Sequence, residues 1–159
     1  MSRPWPSIVA EATRHGFRPG AEFTAFGMAE VAIGGTFPPP MRGMVCDAVD
    51  RVVLETERVA KPADPQLPTT RRLPLLGAPV PGLSMRICDP ATGESLPERH
   101  VGELEIAGTS VTPGYYRRPE LASSLFHDGW LRTGDVGKLD EEGFLYLLDR
   151  KKDMINRGG

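Results

Sequence analysis

Three short segments hold residue types that can act on a nucleotide. Phe26-Gly27-Met28-Ala29-Glu30 places an aromatic before a glycine and a carboxylate after it. Such a ring can offer a flat face to a nucleobase, the glycine permits a sharp turn, and the acid can hold a hard cation through oxygen. Taken alone, the segment reads more simply as an apolar strand end followed by a solvated Glu. Trp130-Leu131-Arg132-Thr133-Gly134-Asp135 presents an acid after a Thr-Gly turn. A carboxylate has several acceptor directions, and a ribose diol supplies two neighbouring donors. An isolated Thr-Gly-Asp more often caps its own backbone. Asp149-Arg150-Lys151-Lys152-Asp153 is a charge cluster behind an apolar run. Arg150 can reach a ribose or phosphate oxygen, although a lone charge cluster is usually a solvated linker.

The elements that would position these segments are mostly short strands. Gly 18 and Pro 16 together make about a fifth of the 159 residues, dispersed among apolar runs, which suits strands joined by turns. Pro6 to His15 has helical spacing, with Ile8, Val9 and Ala12 on one face and Gly16 at its end. Glu22 to Phe26 reads as a short strand, and Val31 to Phe37 as an apolar run stopped by Pro38 to Pro40. Asp50 to Thr56 contains a β-branched, strand-like run, and Lys61 to Arg72 looks like an exposed loop or insertion. Leu83, Met85 and Ile87 alternate with polar neighbours, the period of a half-buried strand. Asp89 to Gly93 is turn chemistry, and Val101 to Ile106 alternates again. Pro119 to Phe126 allows two helical turns. Val136 to Leu139 and Phe144 to Leu148 flank Asp140-Glu141-Glu142-Gly143, a hairpin signal.

Composition excludes several classes. Nineteen Lys and Arg against 21 Asp and Glu leave a formal charge of -2, which does not fit a basic nucleic-acid footprint. No apolar run is long enough for a membrane span, and the first residues lack a signal-peptide pattern. Cys46 and Cys88 are too few for a disulfide scaffold and read as free buried thiols in a reduced, cytoplasmic setting. His15, His100 and His127 have no metal-ligand spacing.

In this order, the three segments resemble the adenylate-forming superfamily of acyl-CoA synthetases, fatty acyl-AMP ligases, luciferases and peptide-synthetase adenylation domains. Gly108-Thr109-Ser110-Val111-Thr112-Pro113-Gly114-Tyr115-Tyr116 with Arg118-Pro119-Glu120 resembles the stretch ahead of the family's Thr-Gly-Asp motif, and the Val136 to Leu148 hairpin sits where the family has one. The resemblance implies an α+β, β-rich fold: part of the large domain, a distorted β-barrel subdomain with short helices. Residues 1–148 would be the C-terminal portion of that domain, and 149–159 the hinge and the start of the small one.

By position, Phe26 matches the adenine-stacking aromatic and Glu30 the acid that binds Mg2+ with the ATP phosphates. The whole stretch Phe26, Gly27, Met28, Ala29, Glu30 would line the nucleotide. Asp135 matches the carboxylate on both ribose hydroxyls, Arg150 a ribose contact, and Lys152 the hinge. Asn156 to Gly159 would fall in the loop that approaches the site for thioester formation. Ala29 stands where many members have Thr, which removes a hydrogen bond of about 1 kcal/mol. Ala29, Thr36-Phe37-Pro38-Pro39, the Met44 to Arg72 region and Leu75-Leu76-Gly77 are similar to the fatty acyl-AMP ligase branch. Lys151 to Ile155 with Arg157-Gly158-Gly159 is similar to acyl-CoA synthetases.

The implied reaction activates a fatty or other carboxylic acid with ATP, giving an acyl-adenylate that can pass to CoA or an acyl carrier protein. The resemblance assigns no catalytic residue within these positions. It places a Gly/Ser/Thr-rich phosphate loop and a catalytic Lys elsewhere in the family's enzymes, and no such loop ending in Lys-Gly occurs here. The chain therefore reads as an internal piece of a longer ligase, inactive alone and prone to self-association through an exposed apolar seam. The alternative is a non-catalytic nucleotide-binding or protein-interaction remnant.

Overall fold

Period-two alternation decides the main sheet. The structure, a computed structural model, describes residues 5–150. Leu83 and Ile87 on β5 (Leu83–Cys88), and Leu104 and Ile106 on β6 (Gly102–Gly108), turn to one face and are buried with Leu131 and Leu145. β8 (Trp130–Leu139) is the spine, antiparallel to β6 along one edge. Its other edge is shared. β7 (Phe126–His127) pairs with Trp130 and Leu131, and β9 (Leu145–Arg150) pairs with Asp135 to Leu139. Arg132, Thr133 and Gly134 lie between the two partners, so the candidate Thr-Gly-Asp turn opens at a break in the sheet edge. The 140–143 turn closes the expected hairpin, with the Asp140 carboxylate accepting from the Glu142 and Phe144 amides.

Two smaller ribbons flank this sheet. β1 (Thr36–Phe37) pairs with β4 (Ala78–Pro79), and β2 (Cys46–Asp50) pairs with β3 (Thr70–Pro74). Helices are few: α1 (Trp5–Thr13), α2 (Arg51–Glu57) and the single turn α3 (Ala122–Leu125) that continues a 3-10 turn at Pro119–Leu121. None of α1's described side chains joins either core cluster.

Several sequence expectations are corrected. Asp50 to Thr56 is a helix, not a strand, because the Asp50 side chain accepts from the Val52 and Val53 amides and caps the first turn. That cap outweighs the weak β preference of two valines. Glu22 to Phe26 forms no strand, and only Phe26 bridges Thr36. Lys61 to Arg72 is not simply a loop, since Pro62 bridges Val49, the Ala63 amide donates to Ala48, and the segment's end becomes β3. Cys46 is exposed; only Cys88 is buried, where burial and then a hydrogen bond to Glu105 push its thiol up to about 11.

Residues 17–44 keep several large apolar side chains in solvent. Phe23 and Phe37 meet edge to face at 6.2 Å, both exposed, and Ile33 is 80% exposed.

β2 is fastened to the sheet by charge. Lys138 on β8 has no exposed surface. Its Nζ lies 2.5 Å from Asp47 Oδ2 on β2 and 4.1 Å from the centre of the Tyr146 ring. Arg99 reaches the same Asp47 oxygen at 2.9 Å. Burial pulls the Lys138 ammonium below its usual range, and the Asp47 hydrogen bond opposes that. Asp47→Ala would strand a buried cation and is expected to destabilise the fold by about 3–5 kcal/mol. Lys138→Met, which removes the ion rather than its partner, is expected to change stability little or to raise it. Urea midpoints of the two variants check this, and equal losses would contradict it.

Candidate nucleotide site

The Phe26 to Thr36 segment closes on itself. The Phe26 carbonyl accepts from the Gly35 and Thr36 amides at 3.0 and 2.9 Å, and the Phe26 amide donates to Thr36 Oγ1 at 3.2 Å. Thr36 in turn donates its hydroxyl to the Leu76 carbonyl at 2.6 Å. Val31 is buried as the plug of this loop. Gly27 is needed for close approach, not for a positive φ, since a Cβ there would overlap the Ile33 carbonyl oxygen. Glu30 sits in the 3-10 turn Ala29–Val31 and is carried at the cleft by that loop.

Glu30 has a partner that the sequence did not signal. Tyr115 Oη donates to Glu30 Oε1 at 2.6 Å, and the Thr112 amide donates to the Glu30 carbonyl at 2.8 Å. The hydrogen bond to Glu30 is the main reason that the Tyr115 phenol is held above its usual range. Tyr115 lies in a quoted motif, but its pairing with a residue so distant in the chain leaves no local pattern.

Asp135 is carried by a bulge. Glu103 registers with Val136 and Glu105 with Arg132, so Leu104 alone faces Thr133, Gly134 and Asp135. The Thr133 hydroxyl settles both sides of the mismatch, donating to the Leu104 carbonyl at 2.9 Å and accepting from the Asp135 amide at 3.0 Å. Gly134 takes φ +73°, and a Cβ there would meet nothing. Arg150 stands opposite Asp135 on β9, and its Nε donates to Asp135 Oδ1 at 3.0 Å. Asp135 is 4% exposed, whereas the Arg150 side chain is 57% exposed.

Two adjoining clefts gather the expected residues. One, of about 620 Å³, is lined by Gly27, Met28, Ala29, Glu30, Tyr115, Thr133, Gly134 and Arg150. The second, of about 490 Å³, takes Phe26, Asp135, Leu76 and the end of β9. Gly27 and Arg150 line both. Phe26 is only 8% exposed and belongs to the core cluster, while it also lines the second cleft. Arg150 lies on the Asp135 carboxylate. Lys152 and Asn156 to Gly159 fall outside the described residues. A hard cation fits Glu30, an oxygen donor on the cleft wall. Among the described residues no three His, Cys, Asp or Glu side chains gather to hold a metal alone, so a cation at Glu30 would need ligand oxygens from elsewhere. Among the described residues no helix is long and apolar enough to cross a membrane.

Comparison with known proteins gives consistent matches. The family described as AMP-binding enzyme matches residues 2–116. The protein named "Putative ligase Rv1013" of Mycobacterium tuberculosis is 40% identical over 144 residues, covering 91% of this chain and 26% of its own length. A long-chain-fatty-acid–CoA ligase of Bacillus subtilis is 44% identical over 84 residues, 53% of this chain and 15% of its own. Among solved structures, fatty acyl-adenylate ligase from L. pneumophila in complex with acyl adenylate and pyrophosphate superposes with TM-score 0.84 at 27% identity, over 93% of this chain and 26% of that one. An adenylation domain of a keto acid-selecting peptide-synthetase module bound to keto acyl adenylate gives TM-score 0.83 at 34% identity, over 94% of this chain and 28% of that one. The chain thus spans about a quarter or less of the length of these relatives. Its strand-rich half-barrel matches part of the large domain of adenylate-forming enzymes. On the family match and the agreement of fold, the chain belongs to the AMP-binding, adenylate-forming enzymes, alongside the acyl-CoA and fatty acyl-AMP ligases.

Proposed function

We propose that this chain supplies the nucleotide side of an ATP-dependent acyl-activating ligase. In that reaction an oxygen of a fatty or other carboxylic acid attacks the α-phosphorus of ATP. The bond to the β-phosphate oxygen breaks, pyrophosphate leaves, and an acyl-adenylate forms. Transfer to CoA or a carrier-protein thiol would follow. The observation that carries the reading is the meeting of Glu30, Gly134, Asp135 and Arg150 at two adjoining clefts, although they lie far apart in sequence.

Asp135 would accept both ribose hydroxyls. A carboxylate has several acceptor directions, so Arg150 and a diol can share it, and Arg150 holds its orientation beforehand. Phe26 would bound the base end of the second cleft, where it lies with Asp135. Glu30 would give Mg2+ one oxygen, the phosphates giving others, and the ion would offset charge moving onto pyrophosphate. Residues 1–148 would then be large-domain scaffold and 149–159, with Lys152, the hinge. ATP and CoA chemistry would place it in the cytoplasm.

The 159 residues contain no Gly/Ser/Thr-rich loop ending in Lys-Gly. Each missing preorganised donor costs ~3–4 kcal/mol of transition-state stabilisation. The second reading is a non-catalytic nucleotide-binding or protein-interaction remnant. Codons upstream of Met1 that encode a phosphate loop would favour the ligase.

Three outcomes are expected. Calorimetry should detect AMP or an acyl-adenylate mimic on the chain, and Asp135→Ala should weaken it about tenfold or more by removing charge-assisted hydrogen bonds. Unchanged affinity would reject Asp135 as the ribose ligand. ATP–pyrophosphate exchange by the chain with Mg2+ and fatty acids should stay at background, and robust exchange would refute the inactivity. The exposed Phe23–Phe37 pair and the exposed Ile33 should drive association with a second copy. A monomer at all concentrations in sedimentation would count against that.

A further inference from the structure

We propose that the Arg132–Glu103 ion pair is the positioning device that sets Asp135. The inference rests on the reading of Asp135 as the ribose ligand. Arg132 is the last regular residue of β8 before the bulge, and Glu103 registers with Val136, the first residue after it. Arg132 Nη2 donates to Glu103 Oε2 at 2.6 Å, so one charged bond ties the near flank of the bulge to the strand facing its far flank. The diagonal reach has a cause. Arg132's direct register partner is Glu105, whose Oε2 already accepts two bonds from Arg86, at 2.9 and 2.6 Å.

The pair lies off the nucleotide clefts. Arg132 and Glu103 line a separate cavity of about 130 Å³ beneath the Asp89–Gly93 turn. The Glu103 side chain is 5% exposed and that of Arg132 is 34% exposed, so screening by water and salt is limited. The Glu103 hydrogen bond, the largest influence on Arg132, holds its guanidinium above the usual range. The Thr133 hydroxyl satisfies the backbone inside the bulge; the ion pair fixes how far the flanks stand apart, and with that the height of Asp135 at the cleft. Neither residue touches the ligand in this account, and both act through Asp135.

The test compares AMP with 2′,3′-dideoxy-AMP, which lacks the diol, on the full chain and on Arg132→Gln, Glu103→Gln and Arg132→Lys. The unaltered chain should prefer AMP by about tenfold or more, the worth of charge-assisted hydrogen bonds to the diol. Arg132→Gln and Glu103→Gln should lose most of that preference while binding the dideoxy ligand as before, and Arg132→Lys should recover part of it. Equal weakening of both ligands, or an unchanged preference, would overturn the positioning role. If the unaltered chain shows no preference or binds neither ligand, the ribose reading of Asp135 fails. Amide hydrogen exchange then decides the ion pair's role without a ligand. Faster exchange at Asp135 than at Leu131 and Ile106 in the Gln variants supports it, and uniform change across the three overturns it.

Discussion

Leu104 faces three residues where a regular ladder would offer one, and the geometry of both clefts follows from how that mismatch is satisfied. Leu104 is fully buried, so an unpaired carbonyl there would be costly. The Thr133 hydroxyl fills the place of a ladder amide and also accepts from Asp135. One side chain thereby allows the central strand to stay paired on both sides of the bulge while its middle swings out. The break between β7 and β9 on the opposite edge leaves that swing unobstructed. A flat β8 would have paired Asp135 with β6 as well as with Arg150 on β9.

A second constraint holds the two halves of the molecule together. Lys138, Arg99 and Tyr146 surround Asp47 and Asp140: Asp47 binds both cations, and Tyr146 Oη donates to Asp140 at 3.0 Å. These groups come from β2, the 97–100 turn, β8, β9 and the hairpin turn. Burial pushes the Tyr146 hydroxyl well above its usual range, so it stays a donor. Buried ions are weak contributors to net stability, because desolvation offsets their attraction. Their geometry is selective, and a slipped β2 would leave Lys138 without its carboxylate. Apolar contacts of Val49, Leu73 and Val136 then fill the space around them.

The regular sheet was legible because alternation is a local signal. Leu83-Ser84-Met85-Arg86-Ile87 and the Val136 to Leu148 hairpin could be read from period and turn residues alone. Asp50 to Thr56 was misread because Val52 and Val53 speak for a strand, while the deciding interaction is a carboxylate reaching two amides. Lys61 to Arg72 looked like a loop because its proline content says nothing of the long-range bridge from Pro62 to Val49. Glu103 and Glu105 alternate as solvent-facing residues would, yet both are buried, since Arg86 and Arg132 arrive from neighbouring strands to neutralise them. In the candidate site, Glu30, Asp135 and Arg150 were singled out by their positions in the family resemblance, and the fold brings them to adjoining clefts. Tyr115 and the burial of Phe26 depend on packing between distant segments and have no signature in the chain's order.

The two sulfurs differ in a way that is practically useful. Cys88 lies inside the sheet with its thiol pushed up to about 11, so at neutral pH it offers almost no thiolate. Cys46 stands exposed on β2, next to Asp47. A maleimide dye or spin label would therefore attach at one place without prior mutagenesis. It would report from beside the Lys138 pair and from across the ribbon from Pro74, which lines the second cleft.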